Sequence, residues 1–290
     1  MEVQQHTSLY KKNGKDKSSQ LKKSITGYAM WNNKYIVVGD RFNGFCDDED
    51  SVVTESALIE KLLGEPIPEH EVLFLIEQGV RVNEIHSAIN LKDPFGHFYK
   101  IIKKRDVPRA IKRLAHKSNP ENILVSYPVR LSDTEYEMEL ILDQCGEMFL
   151  DHMTGMHIQG MVLLEAARQS FLAVTELFYL SDENKDYYFV IKGINTRFFS
   201  FVFPLHSFIK YTVCSYAKHE NRHVFEVKAA IIQSGEVCAE FDIGFTAFLQ
   251  GFISEREKVK AKEAIARVVH ALPFQEDITP KKSIINKNVA

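Results

Sequence analysis

The spacing of apolar residues changes character near residue 115. Before it, short apolar runs are cut by turn residues. "YAMWNNKYIVVGDRF" (28–42) predicts two short strands around an Asn-Asn turn. "SVVTESALIEKLLG" (51–64) sets Val53, Ala57, Leu58 and Leu62 on one helical face and stops at Gly64. Pro66 and Pro68 follow, and "EHEVLFLIEQG" (69–79) predicts another helix ended by glycine. "RDVPRAIKRLAHKSNPEN" (105–122) predicts a third. Beyond the boundary, "NILVSYPVRLSDTEYEMELIL" (122–142) alternates and is rich in branched and aromatic residues, so it predicts strands. Residues 158–180 predict the one long apolar helix of this half. Four strands are expected at 187–203, 206–218, 222–234 and 236–249, with hairpin turns at 219–221 and at Ser234-Gly235. "SEREKVKAKEAIARVVHAL" (254–272) predicts a C-terminal amphipathic helix.

A mostly apolar helix set among long antiparallel strands predicts an α+β architecture, a single hotdog in which a curved sheet wraps a central helix. The expected organisation is a polar tail (1–24), a small, mainly helical N-terminal domain (25–114), the hotdog (115–253), and a C-terminal helix and tail (254–290). Charge follows the same division. Residues 1–120 hold 19 Lys and Arg against 16 Asp and Glu, so the net −3 of the chain comes from its second half. That balance gives no general attraction to a polyanion.

"LIEQGVRVNEIHSAINLKDPFGHFYKIIKK" (75–104) has the layout of a helix-turn-helix, with Tyr99, Lys100, Lys103 and Lys104 as candidate DNA contacts. Pro94 and Gly96 fall where the recognition helix must be regular, and either costs helix stability. DNA binding therefore ranks second. The four cysteines form no CxxC pair, so neither metal nor cofactor is expected. No apolar stretch approaches the roughly 18–20 residues of a membrane span, and a cytoplasmic protein is expected.

The richest chemistry lies in "LDHMTGMHIQGMVLLEAARQ" (150–169). On a helix starting near Gly160, Glu165 and Gln169 share a face and Arg168 lies one turn from Glu165. A carboxylate in so apolar a helix needs a partner. It is either part of a structural ion pair or a group aimed at a ligand. Gly160 and the adjacent Met161 open the first turn, where free amides and the helix dipole favour negative charge. A thioester carbonyl there would be polarised as in an oxyanion hole. His152 and His157 are candidate acids or bases.

The same stretch resembles the signature of the A-factor biosynthesis hotdog family (AfsA-like proteins), and "AHKSNPENILVS" (115–126) resembles that family's entry strand. The resemblance covers residues 115–250. It implies a hotdog acting on acyl thioesters of acyl carrier protein or CoA. The reaction it implies is acyl transfer toward γ-butyrolactone signals, with Glu165 and Arg168 as the essential pair. Gln169, Gly160 and His157 would line the site, and Asp151 with His152 match the family's Asp-His. Gln159 stands where the signature has proline and Met156 where it has a second aspartate. Family members carry two hotdogs per chain. A single copy leaves a sheet edge open, so a homodimer is expected. The alternatives are an acyl-sensing transcriptional regulator with an N-terminal helix-turn-helix, a hotdog thioesterase or dehydratase, and a non-catalytic scaffold.

Overall fold

The computed structural model describes residues 31–46, 50–103, 107–150, 155–180 and 186–271. The N-terminal unit is not mainly helical. It holds β1 (Lys34–Val38), β2 (Val52–Thr54), α1 (Glu55–Gly64), β3 (Val72–Ile76), α2 (Val82–Lys92) and β4 (Tyr99–Lys103). The four strands form a parallel sheet in the order β2-β1-β3-β4. The run "VLFLI", expected inside a helix, is instead the strand β3, paired on both sides. A central parallel strand reads as a continuous apolar run, and periodicity does not separate such a run from a short buried helix. β1 is the second of the two strands expected at 28–42, and a 3₁₀ turn at Asp40–Cys46 follows it; residues 28–30, before the Asn-Asn turn, lie outside the described residues. The Thr54 hydroxyl caps α1 by accepting the Ala57 amide at 3.3 Å, and the Asp40 carboxylate accepts the Ser56 amide at 2.8 Å. Leu58, Leu62, Ile85 and Ile89 bury against Val37, Phe74 and Tyr99.

The helix-turn-helix does not form. Residues 75–79 leave a strand and turn at Gly79, where φ is +83°. Where a recognition helix would lie, the chain makes the strand β4. Tyr99 is buried in the aromatic core with Trp31 and Phe74, and the Lys100 ammonium donates to the Gly96 carbonyl. Lys103 ends the strand, and Lys104 lies outside the described residues. The expected 105–122 helix shrinks to α3 (Lys112–Ala115), which His116 ends in the left-handed region at φ 50°.

The second unit is the expected hotdog. β5 (Val129–Arg130), β6 (Glu135–Glu139), β7 (Tyr187–Phe198), β8 (Ser207–His219), β9 (Arg222–Gln233) and β10 (Glu236–Leu249) form an antiparallel sheet in the order β5-β6-β8-β9-β10-β7. A short α4 (Glu147–Leu150) precedes α5 (Gly160–Val174), which a π-helical turn extends at Thr175–Tyr179. Val162, Leu163, Ala166, Ala167 and Phe171 bury their helix face against the sheet. There Phe171 stacks on Phe245 at 4.3 Å and Phe245 on Phe225 at 4.8 Å. Ser234 and Gly235 both take positive φ, as a two-residue hairpin requires. α6 (Gln250–Ala271) leaves the end of β10 with none of its residues buried. No described helix is long and apolar enough to cross a membrane.

A polar seam joins the two units. Gln78, just past β3, donates to the Leu140 carbonyl at 2.7 Å and accepts the Leu142 amide at 2.8 Å. Gln144 donates to Glu55 at 3.1 Å and accepts the Asp40 amide at 3.0 Å. The loops after β1 and β3 meet so closely that a Cβ on Gly39 would lie 2.8 Å from the Gly79 oxygen.

Candidate active site

The carboxylate of Glu165 lies on a partly open stripe of α5 and is held by three side chains. Arg168 grips both oxygens, from Nε at 2.7 Å and Nη2 at 2.8 Å. Lys117 reaches Oε1 at 2.9 Å from the turn that follows α3. Gln169 donates to the same oxygen at 3.0 Å. Gln169 is itself fully buried. It accepts the Leu124 amide and donates to the Asn122 carbonyl, both at 2.8 Å, and so ties α5 to the segment entering the hotdog. Glu165 is 15% exposed, Lys117 24% and Arg168 29%. Burial pushes the carboxyl upward. The hydrogen bonds from Arg168 and Gln169, with the Arg168 charge, outweigh it and leave the group below the ordinary glutamate range. Glu165 is therefore ionised at neutral pH.

The start of α5 is a second feature. Gln159 is its N-cap but makes no side-chain cap bond, and the Gly160 and Met161 amides have no partner among the described residues. Gly160 is needed here for a protein contact. A Cβ would sit 2.9 Å from the Phe198 ring, so the missing side chain makes room for an aromatic side chain of β7. Met161, Phe198, Phe199 and Phe201 are exposed around this helix start, and the His157 ring lies 4.6 Å from Phe201. Asp151 and His152 lie outside the described residues.

Glu165, Arg168 and Gln169 are thus assembled as one cluster, and Gly160, Met161 and His157 gather at the helix start. The two groups are five residues apart on the helix, about 7.5 Å along its axis. Lys117 was missed as a site residue, although it stands inside the entry run whose pattern points to the family. Two cavities lie elsewhere. One of about 330 Å³ sits in the seam beside Gln78, Glu139 and His206, and one of about 600 Å³ opens on the sheet's outer face beside Lys192, Glu226 and Gly244. No group of His, Cys, Asp and Glu among the described residues could hold a metal ion.

Residues 102–249, just over half of the chain, match the A-factor biosynthesis hotdog domain. The chain belongs to the A-factor biosynthesis hotdog family. No curated protein matches it. Among solved structures, a dehydratase heterocomplex from Xenorhabdus doucetiae is similar at 15% identity, over 50% of this chain and 92% of that one, with a TM-score of 0.38. A mutant thioesterase from Pseudomonas aeruginosa is 13% identical over 50% and 97%, with a TM-score of 0.35. A thioesterase from Haemophilus influenzae is 13% identical over 43% and 78%, with a TM-score of 0.31. Likeness at this level carries no information about substrate. The family assignment rests on the sequence match, and the hotdog topology agrees with it.

Proposed function

We propose that the chain is an acyl-thioester enzyme that transfers an acyl group to a hydroxyl acceptor at the start of α5. The observation that carries this reading is the ionised Glu165, gripped by Arg168 and Lys117 on the helix face left open to solvent. The four hydrogen bonds on Glu165 leave it little basicity, so its part is to hold the two cations in place. The Gly160 and Met161 amides, without a partner among the described residues, donate to the thioester oxygen as negative charge develops on it. His157 takes the proton of the acceptor hydroxyl as the acyl C–O bond forms. The C–S bond breaks, and the same proton leaves with the thiolate.

The sheet edge supports a homodimer. β7 is a twelve-residue edge strand, and it ends at the exposed Phe198 beside the helix start. A long unpaired edge next to exposed aromatic rings favours pairing with a second copy, which would shelter the thioester. Sedimentation of wild type and Phe198→Asp tests this. Dimerisation should fall in the variant, and a monomeric wild type would overturn the assembly.

The reaction is tested with acyl thioesters of acyl carrier protein and of CoA. Glu165→Ala and Arg168→Ala should each lower turnover by about 10²–10³-fold, the scale seen when an aligned electrostatic group is removed. Unchanged rates would eliminate the mechanism.

A further inference from the structure

Strand β1 serves two cores at once. Tyr35 and Val37 face the core of the α/β unit, whereas Ile36 and Val38 face the core of the hotdog, as the two-residue period of a strand allows. A parallel sheet needs both faces covered. α1 and α2 cover one face, and at β1 the hotdog covers the other. The 3₁₀ turn after β1 continues this contact. Phe42 is buried in the hotdog core, and Phe45 packs against that core and stacks on Phe203 at 5.5 Å.

The far end of the turn meets the run of chain that leads into α5. The Phe45 amide donates to the Gly155 carbonyl at 3.1 Å. Gly155 takes φ +73°, and a Cβ there would lie 3.3 Å from Asn43 Oδ1. A Cβ on Gly44 would lie 3.1 Å from the Gly155 oxygen and 3.3 Å from Met156 Sδ, so a side chain at 44 must displace that run by a few tenths of an ångström. Beyond it, the Ile158 amide donates to the Val202 carbonyl at 2.7 Å. His157 lies between these two ties, with its ring 4.6 Å from that of Phe201. α5 begins three residues later, at Gly160.

We propose that the α/β unit positions the candidate site: its Asn43–Phe45 turn sets where His157 stands against the start of α5. Asn43, Gly44 and Phe45 are positioning residues, because they touch the 155–156 run and act on the reaction only through it. The catalytic use of His157 rests on the acyl-transfer reading, but its placement by the turn does not. The turn is a firm brace. β1, which leads into it, is paired with β2 and β3, and Phe42 anchors it in the hotdog core. The displacement forced by a side chain at 44 therefore falls on the 155–158 run.

A graded series in the full chain tests this, since Gly44→Ala and Gly44→Val add successively larger groups at the contact. Turnover of acyl thioesters should fall in that order, at least about tenfold in Gly44→Val, with KM within about twofold of wild type. The His157 ring protons, assigned by their loss in His157→Gln, report placement without substrate, because the ring current of Phe201 depends on where they lie. Their NMR signals should move in both variants, and farther in Gly44→Val. Gly64→Ala adds a methyl in the same unit, where the new Cβ meets no described atom within 4 Å, and should match wild type in both readouts. His157 signals unmoved in both Gly44 variants overturn the positioning role. So does unchanged turnover in Gly44→Val while His157→Gln is impaired, or an equal loss in Gly64→Ala. If wild type turns over no thioester, or His157→Gln keeps full turnover, the catalytic reading is lost, and the His157 signals alone decide whether the turn places the ring. If Gly44→Val does not fold, Gly44→Ala is judged by the same two readouts.

Discussion

Two polar networks in this molecule use similar residues to opposite ends. The seam between the α/β unit and the hotdog contains Glu55, Gln78 and Gln144. The α5 cluster contains Glu165, Gln169, Arg168 and Lys117. In the seam, both ends of each glutamine amide are used, and Glu55 Oε2 accepts the Arg81 amide at 2.8 Å and Gln144 at 3.1 Å, while its buried Oε1 has no hydrogen bond and only the Arg81 guanidinium at 3.3 Å. In the α5 cluster the carboxylate is better satisfied, with four donors shared between its two oxygens. The carboxyls respond differently. Burial dominates at Glu55 and raises its pKa, whereas at Glu165 the donors prevail and lower it. The seam network ties two units together through buried amides. The α5 cluster sets two cations around one carboxylate on a partly open helix face.

The sharpest way to break this contrast is through turnover. Glu165→Ala should cost about 10²–10³-fold in rate with acyl thioesters, while Gln144→Ala should leave the rate per folded molecule near wild type. Equal losses in both variants would mean that the two networks do not divide the work. Stability should show the reverse order. Gln78→Ala strands the Leu140 carbonyl and the Leu142 amide in a buried seam. At about 1–3 kcal/mol for each stranded group, thermal denaturation should show a drop of several degrees.

The pH dependence of stability follows from the two shifts, and its signs are opposite. The Glu165 pKa is lower in the folded chain than in the unfolded one. Its stabilisation is present above the unfolded pKa and is lost as pH falls through the folded value. Glu55 is raised, so its contribution is present at low pH and is lost as pH rises through its folded pKa. Urea denaturation across the acidic range should therefore show a shallower acid-side loss in Glu165→Gln. Glu55→Gln should gain relative stability as pH increases toward neutrality. Matching profiles for the two variants would contradict the contrast. The smallest effect belongs to a lysine outside both networks. Lys100 is exposed and among the described residues bonds only to the Gly96 carbonyl, so Lys100→Ala should change stability by less than about 0.5 kcal/mol and leave turnover unaltered.

The hotdog half was legible because its elements are long. The 158–180 helix and the strands starting at 187, 206, 222 and 236 carry enough residues for their periods to show, and the observed elements match them closely. The N-terminal half was misread because its strands are three to five residues long, too short to show a period, and β3 is apolar throughout. "EHEVLFLIEQG" contains a strand because β1 and β4 flank it, and that partnership lies more than twenty residues away on either side. The same limit applied at the site. Glu165, Arg168 and Gln169 were visible as a helical triplet. Lys117 was not, since it reaches the cluster across 48 residues of chain.

From the sequence alone came the family, the hotdog with its central helix, and the three polar residues of α5, all of which rest on local period and local motif. The tertiary structure decided what those residues face. It supplied the second cation from a distant turn, placed Phe198 against Gly160, and turned a supposed helical domain into a parallel sheet sealed to the hotdog by two glutamines. These outcomes depend on contacts between segments far apart in the chain. Such contacts are selected by burial and by the pairing of every polar group in three dimensions, and neither leaves a period in the sequence.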